Sequence, residues 1–397
     1  MRDKSWLENF SVIDRKGTDC EKWDGLVGVF GRDDLLPMWV ADMDLPAPPQ
    51  VVDALKSRAE HPVYGYTLRP GSCYQAFIDW CRRRHSWPID PDWLSSGPGV
   101  IPSMALCINI FTEPGDQVLI QTPVYHPFYH VVAANRRSLV TSPLVEEGGR
   151  YRMDYDDLAR KFAQGVRMII LCNPHNPVGR VWTAEELTRL GELCLEYEVK
   201  IVADEIWCDL VYPPHRYQPM AAVSLEVANQ TISLLAPSKT FNIAGIGSSV
   251  TVIPNTEWKA RYDQALKRSY LDLANIFAIT AFAAAYRHGE EWLDQLLSLL
   301  SSNCSLAVDA LSESGVRVRS PEGTYLLWLD FRSFGVEHGR LAKALVEHGK
   351  IGLSDGRSFG SEGTGFMRMN VGCPRSLVEE GIARIRSTIA YLSGYSE

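Results

Sequence analysis

Between residues 92 and 236 the chain alternates short apolar runs, rich in β-branched residues, with stretches of helical spacing. That is the signature of βαβ units and a mostly parallel sheet. Gln117 to Gln121, Val166 to Cys172, Lys200 to Ala203 and Thr231 to Leu235 read as nearly continuous apolar strands, as expected of a sheet covered by helices on both faces. Thr183, with Glu186 three residues on and leucines at 187, 190 and 193, predicts a capping box opening an amphipathic helix. Glu113 to Asp116 (EPGD) predicts a turn handing one helix to the next strand.

Beyond about Leu271 the pattern changes to long helices, then to short strands around Tyr325 to Phe331 and Phe366 to Val371. The expected organisation is therefore an N-terminal segment, 1–50, lying against a small α+β lobe at 286–397. A large α/β domain occupies 51–285 between them. At 397 residues, 46% of them hydrophobic and 22% charged, the chain is long enough for such a two-lobed globular protein and too apolar for disorder.

Composition also narrows the partners. A net charge of −8 without any basic block argues against nucleic acid or an anionic lipid surface. The stretch from Met1 to Gly17 lacks the apolar core of a signal peptide, and no window approaches the ~20 apolar residues of a membrane span. A cytoplasmic location is expected. Nine scattered cysteines without a C-x-x-C pair predict reduced thiols, and nine histidines without H-E-x-x-H give no support for a metal site.

Several positions can carry chemistry. Lys239, in APSKTFN just past an apolar strand, sits where α/β sheets present ligands. Apolar neighbours would ease deprotonation of its amine and let it form an imine with an aldehyde, although most lysines at strand ends simply reach solvent. Asp204 ends the run IVAD, where a carboxylate needs a charged partner, or Asp204 or Glu205 caps the next segment. Gly97 to Ile101 precede a helix expected to begin near Pro102, and the free amides of Gly99, Val100 and Ile101 could cradle a phosphate. Neither G-x-G-x-x-G nor a Walker loop is present. Two X-Pro steps in Asn173-Pro174-His175-Asn176-Pro177 predict an extended, rigid turn presenting Asn176. Tyr125 could stack on a flat ring or belong to the core. Arg368 alternates with apolar residues, as either a carboxylate clamp or a buried ion pair would require.

In this order the residues resemble the PLP-dependent (pyridoxal 5'-phosphate) aminotransferase fold type I of the class I/II aminotransferase superfamily. Trp23-Asp24, LPMWVADMD from Leu36, NPHNPVGRVW from Asn173, SKTFNIAG from Ser238 and MNVGCPR from Met369 are further similar to the cystathionine β-lyase-like C–S lyases of the MalY/PatB type. The resemblance implies Lys239 as the lysine joined to PLP, Asp204 on the pyridine nitrogen, and Asn176 on the phenolic oxygen. It also implies Tyr125 stacked on the ring, Ser238 at the phosphate, and Arg368 on the substrate carboxylate. Ala41 and Trp39 would border the substrate, with the 267–277 segment. A homodimer is implied too, Tyr66 of one subunit reaching the phosphate in the other. The implied reaction is β-elimination from a thioether amino acid; transamination, a decarboxylating or oxidative reaction, and a non-catalytic PLP-binding regulator are the alternatives. Three positions depart from the family pattern. Trp207 stands where a tyrosine or histidine is usual, and Ala236 and Gly247 replace a serine and an arginine that hold phosphate in aspartate aminotransferase-like members.

Overall fold

A computed structural model describes residues 12–394. The first eleven residues, part of the expected N-terminal segment and of the stretch tested for a signal peptide, lie outside the described residues, as do the last three.

The strands are, in chain order, β1 (Leu36–Pro37), β2 (Leu94–Gly97), β3 (Gln117–Thr122), β4 (Ser138–Pro143), β5 (Val145–Glu147), β6 (Arg150–Arg152) and β7 (Val166–Cys172). There follow β8 (Lys200–Asp204), β9 (Thr231–Leu235), β10 (Ser249–Val252), β11 (Leu326–Asp330), β12 (Ile351–Gly352), β13 (Ser354–Asp355) and β14 (Phe366–Asn370). Seven of them form one sheet in the order β2-β10-β9-β8-β7-β3-β4. Only β10 runs against its neighbours, so the sheet is mostly parallel, as the apolar runs predict.

Alternation along these strands explains why they look uniformly apolar. Val118, Ile120, Met168, Ile170 and Val202 pack into one core with the helices Val100–Phe111 and Thr256–Arg268. Leu119, Ile169, Leu171, Ile201 and Ala203 pack into another, with Leu158, Phe162, Leu187 and Leu190 of the helices Tyr155–Ala163 and Ala184–Glu196. Each face is covered, so neither can be polar. The second of these helices starts at the predicted capping box: Thr183 accepts from the Glu186 amide and the Glu186 carboxylate accepts from the Thr183 amide.

The C-terminal region contains a three-stranded antiparallel sheet, β11-β14-β13, and the helices Glu290–Glu313, His338–Glu347 and Arg375–Ser393. Against it lies β1, paired in parallel with β12. The segment after β1 is held by a buried ion cluster. Lys22 Nζ lies 2.5 Å from Asp44 Oδ2, Arg15 bridges Asp42 and Asp44, and Trp23 Nε1 donates to Asp44 Oδ1 at 2.9 Å. The nine cysteines are unpaired and eight are buried. Among the described residues no helix is long and apolar enough to cross a membrane.

Candidate active site

The carboxyl ends of the parallel strands open into a cavity of about 280 Å³ lined by Ala41, Tyr125, Asn176, Asp204, Trp207 and Lys239. Gly99, Val100, Ile101 and Ser238 line it too, so the fold gathers most of the residues singled out from the sequence in one place.

Lys239 lies in the short helix Pro237–Thr240 that follows β9. Its Nζ donates to the Ala41 carbonyl at 2.6 Å and stands 5.5 Å over the Trp207 ring. Burial pushes the amine down to about 8, against the opposing pull of Asp42. The carboxylate of Asp204, at the end of β8 and 4% exposed, accepts from the Ile206 amide at 3.2 Å and, among the described residues, from no other donor. Burial pushes its carboxyl up to about 7, with the Ile206 N–H and the Lys239 charge working in the other direction. A buried carboxylate so poorly supplied is arranged for a cationic or N–H donor in the cavity.

One side of the cavity is set by Gly99, whose φ of 153° favours glycine, and by the helix that begins at Val100. The helix thus starts two residues before the expected Pro102. The Gly99 amide is spent on Ser249 Oγ at 3.1 Å, which removes it from the expected set of free donors. Val100 and Ile101 occupy first-turn positions whose amides have no intrahelical partner, and Pro102 has no N–H to offer. The buried hydroxyl of Ser248 has no hydrogen-bond partner and lines the same cavity. In the sequence nothing marks it except its place beside the departing Gly247.

The turn after β7 is compact rather than extended as expected. His175 N bonds to Arg180 O at 2.7 Å and Gly179 N bonds to His175 O at 2.8 Å, because the two prolines leave these amides as the donors that can close it. The turn sets Asn176 against Arg368: Arg368 Nη1 donates to Asn176 Oδ1 at 3.0 Å, leaving the Asn176 amide nitrogen for the cavity. Arg368 Nη2 donates to Trp39 O at 2.8 Å and to Ser354 Oγ at 3.0 Å, and its guanidinium lies 4.8 Å over the Phe359 ring. Its partners in these bonds are all uncharged. Burial pushes it down to about 10, so a buried ion pair, the other explanation its sequence pattern allowed, is not what holds it. Ser354 and Phe359, which aim it, were not foreseen; they lie in the glycine-rich stretch whose pairing to β14 the local pattern does not reveal.

Three expected residues do not line this cavity, Arg368 among them, which reaches it only through Asn176. The Trp39 side chain turns away, donating from Nε1 to Lys22 O at 3.0 Å and lining a neighbouring apolar cavity, so only its carbonyl serves the site, through Arg368. Tyr66 is 98% exposed and does not line the cavity of its own chain. Nor does the 267–277 segment. Trp207 is buried with its ring edge-on to Tyr325 at 5.0 Å, so its bulk forms a wall beside Lys239.

The chain is 42% identical over 380 residues to the cystathionine beta-lyase PatB of Bacillus subtilis (strain 168), covering 95% of this chain and 98% of the relative. It is 34% identical over 383 residues to protein MalY of Escherichia coli (strain K12), covering 95% and 97%. A crystal structure of cystalysin from Treponema denticola, which contains a pyridoxal 5'-phosphate cofactor, superposes with a TM-score of 0.93 at 30% identity, covering 96% of this chain and 98% of that one. The profile of the class I and II aminotransferases matches residues 35–385, so the lysine and the carboxylate of this cavity, and the arginine bonded to Asn176 beside it, stand in a chain that belongs to the class I and II aminotransferase family.

Proposed function

We propose that this chain is a PLP-dependent C–S β-lyase that cleaves a cysteine S-conjugate or a cystathionine-like thioether amino acid to a thiol, pyruvate and ammonia. The observation that carries the reading is the pairing of a partly desolvated Lys239 amine with an isolated, buried Asp204 carboxylate in one cavity. The cofactor fits the residues present. Asp204 would hold the pyridine nitrogen, the Asn176 amide nitrogen the phenolic oxygen, and Tyr125 would stack on the ring. The amides of Val100 and Ile101, with Ser238 and the orphaned Ser248 hydroxyl, would take the phosphate in place of the arginine this chain lacks at Gly247.

When bound, PLP supplies an electron sink that stabilises negative charge at the substrate Cα. Asp204, kept ionised by a cationic nitrogen, maintains that sink. Arg368 holds the substrate carboxylate. Lys239, with its amine pushed down to about 8, takes the Cα proton as general base near neutral pH. The Cβ–S bond breaks with its electron pair leaving on sulfur, a tolerable leaving group because a thiol has a pKa near ~8.5. Hydrolysis of the remaining three-carbon fragment gives pyruvate and ammonia.

The chain would act as a homodimer. Exposed Tyr66 and Leu68, with Tyr270 and Leu273 nearby through the Thr67–Ala274 bridge, form an apolar surface suited to a second copy, and Tyr66 would complete the partner's phosphate site. The division into 1–50, 51–285 and 286–397 belongs to the same reading. Incubation with an S-alkyl cysteine tests it: thiol and pyruvate should appear in equal amounts, and Lys239→Ala should abolish both. A keto acid that retains the thioether would mean transamination, and wild-type thiol release by Lys239→Ala would refute the mechanism.

A further inference from the structure

Behind the Lys239 helix, outside the cavity, lies a second carboxylate that the proposed chemistry does not use. Asp209 is buried and carries three hydrogen bonds. Trp80 Nε1 donates to Oδ1 at 2.8 Å, His85 Nε2 lies 2.8 Å from the same oxygen, and Thr240 Oγ1 donates to Oδ2 at 2.8 Å. Thr240 directly follows Lys239, and the next residue, Phe241, is fully buried with its ring edge-on to Trp80 at 5.4 Å. Trp80, Asp209, Thr240 and Phe241 thus close a rigid block around the back of the turn.

The front of the turn is tied separately. Asn242, at φ 53°, accepts from Met43 N at 3.0 Å and donates to Met43 O and Leu45 O at 2.9 and 2.6 Å. That clamp fixes the segment whose Ala41 carbonyl receives the Lys239 amine.

We propose that Asp209 is a positioning residue for Lys239: held by Trp80 and His85, its carboxylate grips Thr240 and so fixes the turn that aims the Lys239 amine at Ala41 O and the cavity. Burial disfavours the Asp209 charge, and the bonds from His85, Trp80 and Thr240 outweigh it, leaving the carboxyl below its usual range. A charged acceptor of this kind holds a hydroxyl more firmly than a neutral one. His85, Cys208 and Asp209 also bring ligand atoms within 4.8 Å of one another. Both Asp209 oxygens already have hydrogen-bond partners, however, and burial pushes the Cys208 thiol well up, away from the thiolate a cation would need, so hydrogen bonding accounts for the cluster without a cation.

The role of Lys239 in turnover rests on the proposed function, but its positioning can be read without it. In cofactor-free protein, the pH midpoint of Lys239 acylation by a short pulse of acetic anhydride, followed by mass spectrometry, reports the environment of the amine. Thr240→Val keeps the shape and the Asn242 clamp while removing the hydroxyl. Loosening the turn admits water to a desolvated amine, so the midpoint should rise by on the order of one pH unit. Asp209→Asn should shift it in the same direction, and Thr240→Ser should return it to the wild-type value. In the loaded enzyme, Thr240→Val should lower kcat by roughly tenfold to a hundredfold with KM little changed. A Thr240→Val midpoint equal to wild type, with only the unfolding temperature reduced, would overturn the proposal by making Asp209 merely structural. A shifted midpoint with unchanged turnover would uphold the positioning and count against Lys239 as the catalytic lysine.

Discussion

Arg368→Met separates binding from folding at one residue. In the absence of substrate the guanidinium is buried, 4% exposed, beside three uncharged acceptors, and its Nε has no partner. Burial pushes it down to about 10, which corresponds to a penalty on the charged form on the order of 3 kcal/mol. Methionine removes that penalty and fills much of the same volume, but gives up three hydrogen bonds from a charged donor, worth about 1.5–3 kcal/mol each. Of the acceptors left behind, Trp39 O keeps its bond from Ser354 Oγ at 2.9 Å, and Asn176 borders the cavity. The loss exceeds the gain by about 2–6 kcal/mol, so the unfolding temperature of the substrate-free protein should fall by less than about 10 °C. Substrate binding has no such compensation. Losing a buried, charge-assisted contact to a carboxylate costs about 3–4 kcal/mol, or roughly two to three orders of magnitude in kcat/KM. Thermal melts and steady-state thiol release on the same preparations check both numbers. A drop in unfolding temperature of more than about 10 °C, with kcat/KM within about tenfold of wild type, would show that Arg368 supports the fold and does not clamp the substrate.

The isolated Asp204 makes the effect of PLP on stability depend on pH. Its folded-state pKa is raised to about 7, so from about pH 4 to 7 the cofactor-free folded state binds more protons than the unfolded state, and its stability falls as pH rises through that window. A cationic ring nitrogen removes that loss, so the stability gap between loaded and cofactor-free protein should widen from pH 4 to 7 by up to about 4 kcal/mol, as calorimetry can measure. Glu205, also raised to about 7, chiefly by burial, borders no part of the cavity and should contribute nearly equally to both forms, the Asp204 charge adding a small further rise where Asp204 is ionised. A gap that Asp204→Asn leaves just as steep would exclude Asp204 as the source. For the shared site, Lys239→Ala and Tyr66→Glu should each be nearly inactive alone. Mixing and reassembling them in equal amounts should restore about a quarter of wild-type activity, because half the dimers are mixed and each mixed dimer has one intact site. No recovery, with mixed dimers shown by native mass spectrometry, would mean that Tyr66 serves its own chain or none.

How much could be read beforehand depended on how local each feature's cause is. Val166–Cys172 and Thr231–Leu235 fall where their apolar runs place them, and the helix after Thr183 starts at its capping box, because each is specified by its own residues. Lys239, Asp204, Asn176 and Tyr125 were legible for a related reason: each follows an apolar strand of one parallel sheet, so the topology brings them to a common edge. Features made by long-range pairing were not. The antiparallel β10 pairs with β2, whose residues are about 150 apart from its own in the chain. Ser354 reaches Arg368 only because β13 docks on β14, and the Gly99 amide is taken by Ser249 only because β10 lies beside β2. Trp39 shows the limit most clearly. Its position in LPMWVADMD suggested a substrate contact, yet the Lys22 carbonyl captures its indole, and what reaches the site is a backbone carbonyl that no residue identity encodes. Asp209 lies between these cases. Five residues past Asp204, in a run of buried neighbours, it already needed partners on the grounds applied to Asp204. Only the fold brings it Trp80 and His85 from a helix more than a hundred residues earlier, and with them a grip on Thr240.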